Sequence, residues 1–287
     1  MKPFLKWAGG KKQIMKYILP YMEKHLGEES TFYEPFVGGG SVFLALKRSN
    51  CVINDLNQEL MNCYQVIREN PDELIKLLEI HESNHKIDDE YFYKIRILDR
   101  DRETYEVLTN VEKAARTIYL NRTCYNGLYR VNKKGLFNTP KGRYKNPRIV
   151  DKNNILEISD YLKKNNIILK NEDFTQATSD AKEGDFVYFD PPYDYDGNGF
   201  TSYVKEGFTY NDLEKLKASC DILIGKGVKI LISNNATDRV LKLFDSQNYK
   251  IVALAKYEKE EIDVRRYIGS KITNRKVVKE VLIYGHN

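Results

Sequence analysis

The sequence predicts an α/β protein with a mainly helical module inserted between two α/β parts. Three observations carry the prediction: seven short apolar, β-rich runs, amphipathic helical patterns between several of them, and a change of texture from about residue 70 to residue 164. In chain order, KKQIMKYILPYMEKHL carries a helical pattern, TFYEPF reads as a strand, three glycines form a loop, SVFLALKR reads as a helix and CVINDL as a strand. Helical stretches then take over, among them PDELIKLLEIHES and VEKAARTIYLNR. A long segment follows, punctuated by the turn signals NG, KG and NP. The alternation resumes with NIILK, DFVYFD, VKILIS, YKIVALA and VVKEVLIYG, and NDLEKLKASCDILIGK is helical between two of them. The last two runs lack a clear helix between them, so they are expected to pair as an antiparallel hairpin at the sheet edge. Short parallel strands that end in Gly- and acid-rich loops place ligands at the carboxyl edge of the sheet.

The chain has 287 residues, enough to bury a core without disulfide or metal staples. It is 41% hydrophobic and 30% charged, with a mean hydropathy of −0.57, which excludes a membrane-spanning or compositionally disordered class. Cys51, Cys63, Cys124 and Cys220 form no C-x-x-C pair, and the four histidines bring no ligand-spaced cysteine, so no metal is expected. The opening MKPFLKWAGGKKQ has charges but no apolar segment, and no long apolar run follows, so a cytoplasmic protein with reduced thiols is the expectation.

The net charge of +5 is unevenly placed. Residues 116–148 hold nine Lys/Arg and no Asp/Glu, leaving 37 basic against 41 acidic residues elsewhere. Tyr119, Tyr125, Tyr129, Phe137 and Tyr144 are interleaved with those cations. Cations for phosphates, planar groups for stacking, and Arg and Asn forks for base edges point to nucleic acid, against the alternative of a plain solvated surface.

Two motifs carry chemistry. In YEPFVGGGS (33–41), Gly38, Gly39 and Gly40 let a ligand lie against the main chain, and Asp55 of INDLN closes the next strand 15 residues later. A carboxylate there can grip both hydroxyls of a ribose, and the absence of G-x-G-x-x-G argues against a pyrophosphate-bearing cofactor. The other is DPPY (190–193), directly after FVYF. An exocyclic amine conjugated to a ring is a poor nucleophile. Asp190 can accept one of its N–H bonds, and Pro191 can present its carbonyl to the other. Pro192 fixes the direction of that carbonyl, and Tyr193 offers a face on which an extruded base can stack. A third stretch, KWAGGKK (6–12), is not a P-loop. It fits a ligand-site rim and an ordinary helix-start loop equally well.

KWAGGK, EPFVGGG, INDLN, CYNGLYR…FNTPKGRY and DPPY, in this order across nearly the whole chain, resemble the Dam-type DNA adenine-N6 methyltransferases. The resemblance implies a doubly wound, Rossmann-like fold with a seven-stranded, mostly parallel sheet. Residues 1–70 and 165–287 would be the two parts of the catalytic domain, and 71–164 an inserted target-recognition domain. It implies S-adenosylmethionine as methyl donor, with Trp7, Lys11, Glu34, Phe36, Gly38, Asp55, Asp173, Phe174 and Asp190 lining its site. It also implies double-stranded DNA as partner and GATC or a closely related site as substrate, and it leaves open a cognate restriction endonuclease as a further partner class. In the basic segment, Arg130 would read a guanine, while Asn126, Leu128, Pro140 and Arg143 contact bases or backbone. Tyr125 would fill the gap left by a flipped base, and Lys6 would reach the DNA. DYDGNGFTSYVKEGF (194–208) reads either as a loop closing over the base or as a plain connection, and DRDRETYE and KYEKEEIDVRR read as solvated faces. Methylation of RNA adenine or of cytosine N4, and a DNA-binding module without catalysis, are the competing readings.

Overall fold

In the computed structural model, residues 1–7, 9, 11, 14–194, 208–255, 258–261 and 280–285 are described. One mixed sheet runs through the molecule. Its strands are β1 (Phe32–Glu34), β2 (Cys51–Asn54), β3 (Ile167–Lys170), β4 (Phe186–Phe189), β5 (Lys229–Asn235), β6 (Tyr249–Ala255), β7 (Glu258–Glu261) and β8 (Glu280–Gly285). The spatial order is β3-β2-β1-β4-β5-β8-β6-β7. Strands β3, β2, β1, β4 and β5 are parallel, while β8 runs antiparallel to both β5 and β6. The seven expected runs therefore form a mostly parallel sheet, and the last two pair antiparallel as anticipated. Strand β8 is inserted between β5 and β6, and the short β7 extends the edge as an eighth strand.

The helices are α1 (Met15–His25), α2 (Phe43–Leu46), α3 (Gln58–Glu69), α4 (Pro71–Ile87), α5 (Tyr91–Arg96), α6 (Arg102–Glu106), α7 (Asn110–Thr123), α8 (Lys152–Lys164), α9 (Phe174–Ala177), α10 (Tyr210–Gly225) and α11 (Asp238–Leu243). The doubly wound arrangement follows from the alternation of side chains along each strand. Phe32, Ile53, Phe186, Tyr188 and Leu231 face one apolar core with α1, α3, α4, α7 and α8. Their neighbours Tyr33, Val52, Val187, Ile230 and Ile232 face a second core with α10 and α11. Both faces are covered, so β4 reads as the continuous apolar run FVYF, buried throughout.

The helical segment is seated on the first core. Leu74 and Leu78 of α4, Phe92 of α5, and Ala114, Ile118 and Tyr119 of α7 join the same apolar cluster as α3. A capping box of Thr109 and Glu112 starts α7: the Glu112 N–H donates to Thr109 Oγ1 at 3.2 Å, and the Thr109 N–H donates to Glu112 Oε2 at 2.7 Å. Helix α7 thus carries the first quarter of the basic segment into the interior.

Strand order reverses between β1 and β4, and a doubly wound sheet opens its ligand crevice at the carboxyl ends of such a pair. Glu34, Asp55, Asp173, Asp190 and Asn235 all lie at or just past that edge.

Candidate active site and nucleic-acid interface

The edge is tied together before any ligand is considered. Asn54, buried at the end of β2, donates through Nδ2 to the Pro35 and Glu172 carbonyls, both at 3.0 Å, and accepts from the Glu172 N–H at 2.9 Å. One side chain thus fixes the exits of β1, β2 and β3. Asp55 follows directly. Its Oδ2 accepts from the Gly38 N–H at 3.1 Å and its Oδ1 from the Asn57 N–H at 2.9 Å. Burial disfavours the charge and outweighs those two N–H donors, so the Asp55 carboxyl is pushed up to about 6.

The glycine loop is shaped by close approach. Gly38 and Gly40 have φ of +49° and +74°. A Cβ at Gly38 would stand 2.8 Å from Trp7 Cδ1, and one at Gly40 would stand 2.6 Å from the Tyr64 hydroxyl, which donates to the Gly38 carbonyl at 3.0 Å. Trp7 lies against this loop on one side and stacks on Tyr129 on the other, with centroids 5.2 Å apart. Glu34, 2% exposed, ends β1 with Oε2 buried and without a hydrogen-bond partner among the described residues. Burial and then the Asp190 charge raise its carboxyl well above the usual range, opposed by the Phe43 N–H and Lys11.

Asp190 leaves β4 into the DPPY loop. Its Oδ1 accepts from Lys11 Nζ at 2.7 Å and from Ser233 Oγ at 2.8 Å, and Ser233 Oγ is 2.9 Å from the Tyr188 hydroxyl. Lys11 also donates to the Gly9 carbonyl at 2.8 Å and lies 4.4 Å from the Tyr193 ring centroid. Burial raises the Asp190 carboxyl, and the Lys11 ammonium and the Ser233 hydroxyl act against that rise. Farther along the edge, Phe36, Phe174 and Phe208 form an aromatic group with centroids 5.3–6.5 Å apart. Asp173 caps α9 through the Thr175 N–H at 3.0 Å and pairs with Lys215 at 2.9 Å. These bonds outweigh its burial and hold its carboxyl below the usual value.

The structure therefore brings Trp7, Lys11, Glu34, Gly38, Asp55, Asp190 and Tyr193 to one crevice, with Phe36, Asp173 and Phe174 along the same sheet edge. Sequence reasoning did not find Ser233, Tyr188, Asn54 or Asp194. Ser233 had a usable signal, because S-N-N ends the apolar run VKILIS at the carboxyl edge. Lys12 and residues 195–207, most of the expected loop, lie outside the described residues.

The basic segment forms a separate surface. The Tyr125–Gly127 turn places Tyr125 and Asn126 in solvent, Asn126 with φ of +53°. Buried Asn121 fastens this turn to the N-terminal segment: its Oδ1 accepts from the Lys6 N–H at 2.8 Å, and its Nδ2 donates to the Lys6 and Gly127 carbonyls at 2.8 and 2.9 Å. Beyond it, Val131 and Phe137 bridge antiparallel. Arg130 stands exposed on that short ladder and donates from Nε to Asn138 Oδ1 at 2.8 Å. Lys6, Pro140 and Arg143 are exposed as well, and Leu128 is half-buried.

The segment as a whole is less superficial than its composition suggested. Tyr119, Tyr129 and Phe137 belong to the core, which leaves Tyr125 as the exposed aromatic among the five. Arg116 is buried and pairs with Asp99 at 2.9 Å, and Arg122 donates to the Phe4 carbonyl at 2.6 Å.

The family described as D12 class N6 adenine-specific DNA methyltransferase matches residues 7–258. The type II methyltransferase M1.LlaDCHI of Lactococcus lactis subsp. cremoris is 40% identical over 100% of this chain and 96% of its own length. M.MjaIII of Methanocaldococcus jannaschii is 40% identical over 88% of this chain and 91% of its own. The DNA adenine methylase of Escherichia coli K12 is 31% identical over 98% and 94%.

Proposed function

The chain belongs to the D12 class of N6 adenine-specific DNA methyltransferases, and from that membership we propose that it methylates a flipped adenine within GATC, with Asp190 and Pro191 as the acceptors of the adenine amine. The observation that carries the assignment of residues is the Asp190 carboxylate, half-buried at the switch point and held through Oδ1 by Lys11 and Ser233. A fixed acceptor costs no reorganisation when charge develops on the amine. Pro191 lacks an N–H that would compete for the substrate, and the Tyr193 ring offers the face for stacking.

The donor proposed is S-adenosylmethionine, which when bound supplies an electrophilic methyl group on a sulfonium. The residues present fit it. The unpartnered Oε2 of Glu34 suits an ammonium, the half-buried Asp55 carboxylate suits a ribose diol, and Phe36 and Phe174 supply flat apolar walls for an adenine, with Asp173 at the rim. Gly38 lets the main chain approach, while Trp7 and Lys11 close the near side.

Residues 71–164 are proposed as the target-recognition unit between two parts of the catalytic domain, 1–70 and 165–287. The exposed set Lys6, Tyr125, Asn126, Arg130, Pro140 and Arg143, with Leu128 beside it, supports DNA docking on this face, with Arg130 as the guanine reader. Tyr125, exposed on this face, is proposed as the aromatic that fills a vacated stack. A cognate restriction endonuclease remains a partner class suggested by the relatives' names alone. No described helix is long and apolar enough to cross a membrane.

The test is methyl transfer from labelled donor to a duplex with one GATC and to a duplex with that site scrambled, followed by identification of the modified base. N6-methyladenine on the first duplex alone is expected. Equal label on both removes the site assignment, and full turnover by Asp190→Ala removes the acceptor assignment.

A further inference from the structure

The acceptor loop has a weakness built into its composition. Pro191 and Pro192 carry no N–H, so the main chain between Asp190 and Tyr193 has no donor with which to hold its own conformation. Methyl transfer to a poor nucleophile depends on placement, and a misplacement of about 1 Å costs on the order of 100-fold in rate. The loop must be held from outside, at its two ends.

Both ends are fastened to one stretch of chain. At the head, Ser233 of β5 donates to Asp190. At the tail, the Asp194 N–H donates to Asn234 Oδ1 at 2.9 Å, and Asn235 Nδ2 donates to the Asp194 carbonyl at 2.7 Å. The Asp194 carboxylate accepts from Thr237 Oγ1 at 2.5 Å and from Arg239 twice, at 3.2 Å to Oδ2 and 2.7 Å to Oδ1. Thr237 in turn caps α11 through the Val240 N–H at 3.2 Å, so the tail is tied to a helix start as well as to a strand end. Asp194 is 15% exposed, and a two-point pair with an Arg fork fixes direction as well as distance.

We infer that Asp194 is a positioning residue for methyl transfer: with Arg239, Thr237 and the end of β5 it clamps the tail of the acceptor loop, as Ser233 clamps its head. The inference rests on Asp190 and Pro191 being the amine acceptors. Asp194 touches neither base nor donor in this scheme, and acts by keeping the Pro191 carbonyl and the Asp190 carboxylate in register with each other.

Single-turnover methylation of a GATC duplex by Asp194→Ala, Arg239→Gln and the double variant tests it, alongside donor affinity read from the single tryptophan, Trp7, and the melting temperature. The expected result is a rate loss of about 10- to 100-fold in Asp194→Ala with donor affinity unchanged. The double variant should lose no more than the worse single one, because both remove the same clamp. Asp194→Asn, which keeps the backbone bonds and one acceptor for Arg239, should recover part of the rate. A wild-type rate in Asp194→Ala, or losses that multiply in the double variant, overturns the clamp. If Asp194→Ala unfolds, Asp194→Asn and Arg239→Gln carry the same comparison in folded protein. Asp190→Ala separates the two readings: activity there sinks the acceptor assignment itself, whereas an inactive Asp190→Ala beside a fully active Asp194→Ala sinks the clamp alone.

Discussion

Lowering the pH should release the donor from this enzyme before it unfolds the protein, and Asp55 sets the midpoint. Burial disfavours the Asp55 charge more strongly than the Gly38 and Asn57 N–H groups favour it, which places its titration at about 6. A carboxylate can accept from two ribose hydroxyls, whereas a protonated carboxyl gives up one acceptor position to its own proton. With a midpoint of about 6, the ionised fraction falls from roughly 0.9 at pH 7 to roughly 0.1 at pH 5. Donor affinity should therefore fall about tenfold over that interval, on the order of 1.4 kcal/mol. Trp7 packs against Gly38 and is the single tryptophan, so its emission is the natural readout, with calorimetry as the cross-check. Glu34 titrates in the same crevice, and Asp55→Asn, which retains Glu34, isolates the Asp55 contribution. Affinity that does not change between pH 7 and 5, or an unchanged midpoint in Asp55→Asn, refutes the reasoning. Stability carries the opposite sign. A carboxyl whose folded pKa lies above its unfolded value costs stability above about pH 6 and ceases to cost it as the pH falls below its unfolded value. The unfolding free energy of the free wild type should accordingly gain on that of Asp55→Asn on going from pH 6 to pH 4.

Three further expectations concern other parts of the molecule. Gly40→Ala puts a Cβ 2.6 Å from the Tyr64 hydroxyl at a φ of +74°, so it should cost about 1–2 kcal/mol of left-handed strain plus about 1 kcal/mol for the displaced Tyr64–Gly38 bond. Gly135→Ala, with φ of +80° and open space around it, should cost the strain alone; equal losses by denaturant titration would remove the steric argument. Arg130→Ala should lose about 1–3 kcal/mol of discrimination at one base pair of the site while leaving donor binding intact, and competition between singly substituted duplexes would show whether any position relaxes. Burial lowers His81 to about 4, with its Nδ1 2.8 Å from the Tyr91 hydroxyl, so the stability that it confers above pH 6.5 should drain away as the pH falls towards 4. His81→Gln should flatten that limb of the acid unfolding profile, and an identical profile would exclude the residue.

The parts of the fold that were legible in the sequence are those written in contiguous residues. Each of the seven apolar runs became a strand, and β2 and β4, buried at every position, show why: a strand covered on both faces has to be apolar along its length. Strand β7 was hidden for the converse reason. Glu258–Glu261 is a charged stretch that reads as solvated chain, and charge on an edge strand deters further pairing. Helix α3 was missed where the motif INDLN runs straight into it, and its capping residue Asn57 lies within that motif. Insertion of β8 between β5 and β6 had no local signature, since strand order is a property of long-range pairing.

Within the site the same division holds. Asp55 and Asp190 sit in short motifs whose glycines and prolines dictate local geometry. Their partners do not: Ser233 meets Asp190 from 43 residues away, signalled only by the polar end of the run VKILIS, and on the basic segment Asn121 meets Lys6 from 115 residues away with no local signal at all. The basic segment was misjudged in part because a charge count cannot tell a cation facing phosphate from one such as Arg116, which is spent on Asp99 and on the carbonyls of Ile95 and Arg96.

The contact of Asn121 with Lys6 also sets a limit on what can be exchanged between members of this family. Lys6 is held by Asn121 at the end of α7, and the next residue, Trp7, rests on Gly38 and Tyr129. Two adjacent residues near the start of the chain thus pack on a segment more than a hundred positions away. A chimera that grafts residues 71–164 from a relative with a different target onto this scaffold would inherit a turn cut for another N-terminal segment. The transplantable unit is discontinuous: the helical segment together with the opening residues through Trp7, and a graft that carries both should retain activity where the segment alone loses it.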